Sequence, residues 1–281
     1  MIIDSHQHFW ALAGGDYPWP NESVAEIFRD FGPEDLEPLI KATGITKTVL
    51  VQATDTIEET EFLLDIAART DWIAGVVGWV DLGSPDAINT IDQLRTNPLL
   101  VGIRPILQNI SQTDWILQGH IAPVLVHLAE HNLCFDALIQ PRHLNVIDEL
   151  ARRVPSLKIV LDHSAKPAMA AGQTPDPEWV TGMCRLAERD NDSCKLSGLV
   201  TEIGPEWMLS DIQPFAELVL TRFGAQKVMF GSDWPVVNLA SNYVKWFETT
   251  CMLVQHLLPE DQQSVFSGTA RSVYGLQQGS G

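Results

Sequence analysis

No stretch of this 281-residue chain approaches the ~20 consecutive apolar residues that a membrane-crossing helix needs. Positive charge is scarce as well: 18 lysines and arginines face 36 aspartates and glutamates, for a net charge of −18. A surface of that sign repels phosphate backbones and anionic headgroups, so neither nucleic acid nor membrane is expected as a partner. Cysteine is sparse. Cys134, Cys184, Cys194 and Cys251 lie far apart without a C-x-x-C pairing. Cys134 and Cys194 sit in apolar, strand-like runs and read as buried thiols of a reducing compartment. The opening MIIDSHQHFW lacks the basic-then-apolar order of a signal peptide. A cytoplasmic monomer or homodimer is the expectation.

What is present is a regular alternation. Short apolar runs rich in β-branched residues occupy Met1–Ser5, Lys47–Ala53, Ile73–Val80, Leu99–Ile106, Cys134–Gln140, Lys158–His163, Ser193–Ser197 and Lys227–Ser232. Most are continuously hydrophobic, as strands buried on both faces of a parallel sheet must be. Between them lie amphipathic segments: Glu58–Thr70, Asp86–Thr96, Ile121–His131, Leu144–Val154, Glu178–Asp190, Ile212–Phe223 and Ser241–Leu258. In the first, Phe62, Leu63 and Ile66 share a face. Ser84 before Pro85 and Asp176 before Pro177 read as helix caps. Alternating strand and helix implies parallel βαβ units, and eight of them suggest closure into an α/β (β/α)₈ TIM barrel. A doubly wound open sheet would advertise a Gly-rich first turn, and none follows the first strand. One domain is expected over 1–276, with a disordered tail at 277–281. Ala13–Asn21 and Lys166–Pro177 read as long loops on the barrel's catalytic rim.

Three clusters carry polar chemistry at the ends of these runs. His6 and His8, at i and i+2 on a strand, point to one side and can converge on one ion or one substrate atom. His163 ends the sixth run, and Asp233 follows the eighth, where a lone buried carboxylate needs a partner. All of these fall on the rim where barrel enzymes place their chemistry. The other histidines differ. His120, His127, His131 and His256 fall within or beside predicted helices, where they are expected to be solvated, and His143 opens a helix after Pro141.

H-x-H after strand one, D-H-x-x-K-P after strand six, C-K-L-S-G-L-V-T-E around strand seven and G-S-D-W-P after strand eight together resemble the amidohydrolase superfamily. More narrowly they are similar to its "amidohydrolase 2" branch of sugar-acid lactonases, of the L-fuconolactonase and L-rhamnonolactonase type. The resemblance spans nearly the whole chain, from Asp4 to Leu276. It implies an amidohydrolase-type barrel that opens an aldonolactone. Related members hydrolyse pyrone dicarboxylate lactones or decarboxylate aromatic acids with a metal, and these stay as alternatives; a non-catalytic sugar-acid binder is a further one. Pro105 stands where the branch often has histidine, and the fifth strand has none, which argues against a binuclear metal site.

Lactone opening needs an activated water, a positive charge or donor at the carbonyl oxygen and a proton for the leaving alkoxide. Asp233 is the expected general base, with His163 and Lys195 as further catalytic candidates. His6, His8 and His163, with Asp233, would bind one divalent ion, zinc first among them, or the three histidines would hydrogen-bond the carbonyl without metal; both routes stand open. Lysine rarely sits in a barrel strand unless paired or functional. Pointing inward, Lys195 would stabilise the oxyanion or pair with Asp233 or Glu202. Trp10, Trp79, Trp234 and Tyr17 are candidates for stacking on a sugar ring, and Glu202 for accepting its hydroxyls. Among eleven arginines only Arg104 ends a strand, too few forked donors for a dicarboxylate. A neutral sugar lactone is therefore the expected small-molecule partner.

Overall fold

The computed structural model describes residues 1–14 and 17–277; of the expected disordered tail, positions 278–281 lie outside them. Eight parallel strands follow one another in sequence order: β1 (Ile3–Gln7), β2 (Lys47–Val51), β3 (Ile73–Gly78), β4 (Leu100–Ile103), β5 (Cys134–Ala137), β6 (Ile159–Leu161), β7 (Asp192–Leu196) and β8 (Val228–Phe230). Helices on the outside connect them: α1 (Pro33–Thr43), α2 (Ile57–Ala68), α3 (Ala87–Leu94), α4 (Ala122–Glu130), α5 (Leu144–Arg153), α6 (Pro177–Ala187), the short α7 (Leu199–Ile203), α8 (Leu209–Phe223) and α9 (Tyr243–Val254). The arrangement is a TIM barrel. No helix among the described residues is long and apolar enough to cross a membrane.

Each expected run holds a strand, but β1 lies two residues beyond the apolar stretch that announced it. Asp4, Ser5, His6 and Gln7 are all buried, and hydropathy ends a strand early when its last residues are buried polar groups. Helix α1 was not expected. Its motif PEDLEPLIKAT buries only Leu36 and Ile40 fully, and Pro38 interrupts the helical pattern. Its end signals were nevertheless present: Pro33 in the first turn, Asp35 accepting from the Gly32 amide at 3.1 Å, and a left-handed Gly44 after the last turn. Asp176 caps α6 as expected, accepting from the Glu178 and Trp179 amides, whereas α3 begins at Ala87, beyond Ser84. On α2 the buried stripe is Leu63, Leu64, Ile66 and Ala67, while Phe62 turns outward at 36% exposure; a helix of this register presents only one of the two neighbours to the sheet.

Inside the barrel, Ile3, Val49, Val77, Val101, Cys134, Val160 and Met229 form an apolar layer, joined by Tyr274 and Leu276 from the last turn of the chain. Strand alternation places the next inward residues two positions on, where β5 and β6 supply Asp136 and Asp162 in place of further hydrocarbon. The thiols of Cys134 and Cys194 are buried, which pushes both up, Cys194 to about 12; they stay protonated and are poor nucleophiles.

Asp192, which opens β7, is 1% exposed and its Oδ2 has no partner. Burial raises its carboxyl to about 7 against the pull of Arg189 and Lys227. Its folded value thus lies above the unfolded one near 3.8, so the folded chain holds this proton more tightly and stability falls as pH climbs between those values. Asp192→Asn is expected to shrink the loss of unfolding free energy between pH 5 and pH 8 by on the order of 1–2 kcal/mol. Urea unfolding at the two pH values measures it, and an unchanged loss removes Asp192 as a contributor.

Candidate active site

Strands β1 and β8 share no ladder; a single parallel bridge between Gln7 and Trp234 closes the barrel. The Asp233 amide donates to the His6 carbonyl at 2.8 Å and the His8 amide to the Trp234 carbonyl at 2.7 Å. Below this seam the Asp4 carboxyl accepts from the amides of His6 (3.1 Å) and Ser232 (2.8 Å) and from the Tyr243 hydroxyl (3.1 Å). Burial nevertheless pushes Asp4 up to about 6. Gly231 is bare for a reason: a Cβ there would lie 2.8 Å from that of His6.

The end of β6 is built differently. His163, Ser164, Ala165 and Lys166 have φ of 52°, 52°, 59° and 48°, a left-handed turn that costs about 1–2 kcal/mol per L-residue. Neighbours hold it. Trp179 Nε1 donates to the Ser164 carbonyl at 3.0 Å, and Ser164 Oγ to the Lys195 carbonyl at 3.3 Å. The turn lays the His163 ring over Gly198 (φ 68°), where a Cβ would meet the ring at 2.6 Å. Asp233 is left-handed too, with φ 58°. Such strain concentrates where a side chain must be aimed.

These elements bring His6, His8, His163 and Asp233 together. Asp233 Oδ1 lies 3.3 Å from His8 Nε2, 3.7 Å from His6 Nε2 and 3.7 Å from His163 Nε2, all buried. Burial opposes ionisation of Asp233, but its electrostatic interaction with His163 and its contacts with His8 and His6 outweigh it and hold the carboxyl well below its usual range. Burial lowers His163 to about 4 although Asp233 and Asp162 pull the other way. His6 is held well below its ordinary value by burial and by the charge of Lys195.

Lys195 points inward and is completely buried. It reaches neither Asp233 nor Glu202, the partners its sequence position suggested. Its ammonium has three protons and meets three acceptors: Asp136 Oδ2 at 2.6 Å, Asp162 Oδ1 at 2.9 Å and His6 Nδ1 at 3.0 Å. Burial would discharge it, but Asp136 and Asp162 outweigh that and raise its pKa. Arg104 extends the network, donating to Asp162 Oδ2 at 3.1 Å and to the Gln52 carbonyl and side chain. The Tyr274 hydroxyl completes it on Asp136 Oδ2 at 2.6 Å.

The contacts assign proton positions. His8 Nδ1 faces the Val51 carbonyl at 2.7 Å, which can only accept, so Nδ1 carries the hydrogen and Nε2 presents a lone pair. With Lys195 donating to its Nδ1, His6 carries its hydrogen on Nε2, 3.1 Å from the His8 Nε2 lone pair. The chain of donors from Lys195 through His6 and His8 to Val51 is self-consistent. It leaves His8 Nε2 and Asp233 Oδ1 facing each other at 3.3 Å, a pair that either a second proton on His8 or a cation between them satisfies. His6, His8 and Asp233 each offer an atom within 4.8 Å of the others, so the donor set fits one divalent ion. His6 joins as a ligand when its proton moves to Nδ1, where Asp162 Oδ1 at 3.3 Å can accept it.

Above the cluster opens a cavity of about 460 Å³ lined by His8, Arg104, His163 and Asp233, with Lys166 and Glu202 on one side and Trp19, Leu138, Val236 and Leu239 among its apolar surfaces. Glu202 lies 3.8 Å from Lys166 Nζ, and burial raises its carboxyl. The aromatic candidates are placed elsewhere. Trp10 is buried on Phe31 with its Nε1 on the Arg29 carbonyl, and Trp234 is packed between Phe9 and Phe31. Tyr17 pairs with Glu59 in a smaller adjoining pocket, and Trp79 lines neither. The cavity's indole is that of Trp19, in the rim loop, which sequence reasoning passed over, as it did Asp136, Asp162, Lys166 and Tyr274. For Asp162 and Lys166 the signal was the D-H-x-x-K-P motif itself.

Comparison with known proteins gives a consistent picture. Residues 3–276 match the family described as Amidohydrolase. An L-fucono-1,5-lactonase of Burkholderia ambifaria is 44% identical, over 99% of this chain and 97% of the relative. A second L-fucono-1,5-lactonase, from Burkholderia multivorans, is 33% identical over 98% and 96%. A crystal structure of an amidohydrolase from Burkholderia multivorans with bound zinc superposes with a TM-score of 0.93 at 33% identity, covering 99% of this chain and all of that one.

The hydrogen-bond chain is directly measurable. Nitrogen-15 NMR of the metal-free protein, labelled at histidine, is expected to show His6 protonated at Nε2 and His8 at Nδ1. Finding His6 protonated at Nδ1 without metal would mean that Lys195 does not donate to it. Lys195→Met is expected to cost about 3–5 kcal/mol of stability by stranding two buried carboxyl groups, and Asp136→Asn in the same chain to recover part of that loss in urea unfolding.

Proposed function

Because the chain belongs to the amidohydrolase family, we propose that it is a hydrolase that opens a sugar-acid lactone of the L-fucono-1,5-lactone kind to the aldonate, with Asp233 as the base that activates water. The observation that carries this reading is a buried carboxylate, Asp233, held in a left-handed backbone among three histidines and lining a cavity of about 460 Å³, a volume suited to a single sugar ring. Both lactonase relatives match the chain over nearly its whole length.

The cavity favours a neutral ligand. Its cations are Arg104 and Lys166, and each already faces a carboxylate, Asp162 at 3.1 Å and Glu202 at 3.8 Å. A dicarboxylate would need forked donors to spare. Glu202 and Lys166 suit the hydroxyls of a polyol, as acceptor and donor, and Trp19 offers an apolar face for the ring's carbon-bound hydrogens.

In the reaction a water beside Asp233 attacks the lactone carbonyl carbon and its proton passes to the carboxylate. His163, whose Nδ1 meets Ser197 Oγ at 2.9 Å, directs Nε2 into the cavity as a donor for the developing oxyanion. The tetrahedral adduct then collapses. The ring C–O bond breaks, and Asp233 returns the proton to the departing alkoxide. The aldonic acid formed ionises in water, so each turnover releases one proton. Lys195 acts through His6 and is a positioning residue. A divalent ion, zinc by the donor set, would be held by His6, His8 and Asp233, and would supply electrophilic polarisation of the carbonyl.

A pH-indicator assay with L-fucono-1,5-lactone tests the proposal. The parent is expected to release protons faster than spontaneous hydrolysis, and Asp233→Asn to lower kcat by about a hundredfold or more. Near-full activity in the variant would take Asp233 out of the mechanism. No proton release from this or any other aldonolactone would overturn the function itself.

A further inference from the structure

We propose a second metal site on the outer wall of the barrel, between α3 and α4, that binds a divalent transition ion of the zinc type through Asp92, His127 and His131. It shares no residue with the candidate active site and does not rest on the function proposed for it.

The helical register makes the site. His127 and His131 are four residues apart and so fall on one face at the carboxyl end of α4. Their rings pack edge to face with centroids 4.4 Å apart. Asp92, in the last turn of α3, reaches across with Oδ1 3.0 Å from His127 Nε2. One atom from each of the three residues lies within 4.8 Å of the others. Ligands at about 2.0–2.1 Å around a tetrahedral ion stand about 3.3 Å apart, so only small side-chain adjustments close the site. Arg95 Nε holds Asp92 Oδ1 at 2.6 Å; the second carboxylate oxygen is left for the ion.

Two imidazoles and one carboxylate select a borderline ion such as zinc, nickel or copper over calcium or magnesium, which prefer all-oxygen sites. The net charge of −18 raises the local concentration of any cation at the surface. Bound there, the ion would clamp two neighbouring outer helices and reinforce the His127–Asp92 contact between them. It also bears on stoichiometry: a second equivalent of zinc in the purified protein would sit on this wall and not in a binuclear catalytic centre.

The test is a difference between full-length proteins. Metal-free parent, His131→Ala and His127→Ala are titrated with zinc chloride against a chromogenic chelator, and their thermal midpoints are recorded with and without zinc. Removing an outer partner of a metal ligand typically costs ten- to a hundredfold in affinity, and a direct ligand no less. Both variants are therefore expected to lose one equivalent of zinc or bind it at least tenfold more weakly, and to lose part of the zinc-induced rise in midpoint. Their rate of lactone hydrolysis should match the parent's. Equal stoichiometry and affinity in parent and His131→Ala would overturn the proposal, whatever the active site takes up. If the parent binds a single equivalent and His131→Ala binds none, the outer site stands and the metal reading of the active site falls.

Discussion

A buried ammonium ion holds the interior of this barrel together at the level where its hydrocarbon filling stops. Lys195 joins β7 to β5 through Asp136, to β6 through Asp162 and to β1 through His6. Taking a cation and two carboxyl groups out of water costs several kcal/mol per ion, and only near-complete hydrogen bonding makes the arrangement tolerable. Here the ammonium faces three acceptors, Arg104 serves Asp162 Oδ2 and Tyr274 shares Asp136 Oδ2 with Lys195, while Asp136 Oδ1 is left without a partner. A hydrocarbon layer would fill the same space at less risk. What the charged layer adds is direction: it fixes which nitrogen of His6 faces His8 and Asp233, and through His6 the state of His8. Polar groups held in place before substrate arrives need no reorganisation when charge develops.

The same economy governs the backbone above that layer. A side chain at the end of a strand ordinarily leans along it or away from the axis, and neither direction would bring His163 over Asp233. Four consecutive left-handed residues re-aim it, and two glycines make room, Gly198 beneath its ring and Gly231 beside His6. The motifs thus divide by function. The histidines and the aspartate form the polar cluster to which the proposed chemistry is assigned, and the glycines of G-S-D-W-P and K-L-S-G give them clearance. Replacing either glycine would displace an imidazole while leaving every polar residue in place.

Sequence reasoning could reach the fold and the four central residues because both rest on local pattern. Buried parallel strands are continuous apolar runs, and polar residues that end such runs stand out against them. It failed where position depends on partners distant in sequence. That Lys195 lies inside was arguable from its strand; that it meets Asp136 and Asp162, on neighbouring strands, required the register of β5 against β6 and β7. The tryptophans show the limit most plainly. Trp10 and Trp234 follow strand ends as a stacking residue should, yet both fill the packing around Phe31, while Trp19, in an irregular loop, lines the cavity. Aromatic character is common to core and binding site, and only the tertiary fold separates them. Helix α1 escaped for the opposite reason, since two buried residues are too few to make a period.

Electrostatics also gives the proposed reaction a direction. The lactone that enters is neutral, so the protein's charge of −18 neither attracts nor repels it. The product is a carboxylate formed within reach of Asp233, which has by then returned its proton and is again charged, and in the same cavity as Glu202. Two like charges about 4 Å apart repel by about 4 kcal/mol at the dielectric of a partly solvated cleft. Arg104 and Lys166 are already engaged by carboxylates and have little to offer a third. In the proposed reaction, a site that binds its neutral substrate by shape and hydroxyl contacts thus loses affinity for its product at the moment of ring opening.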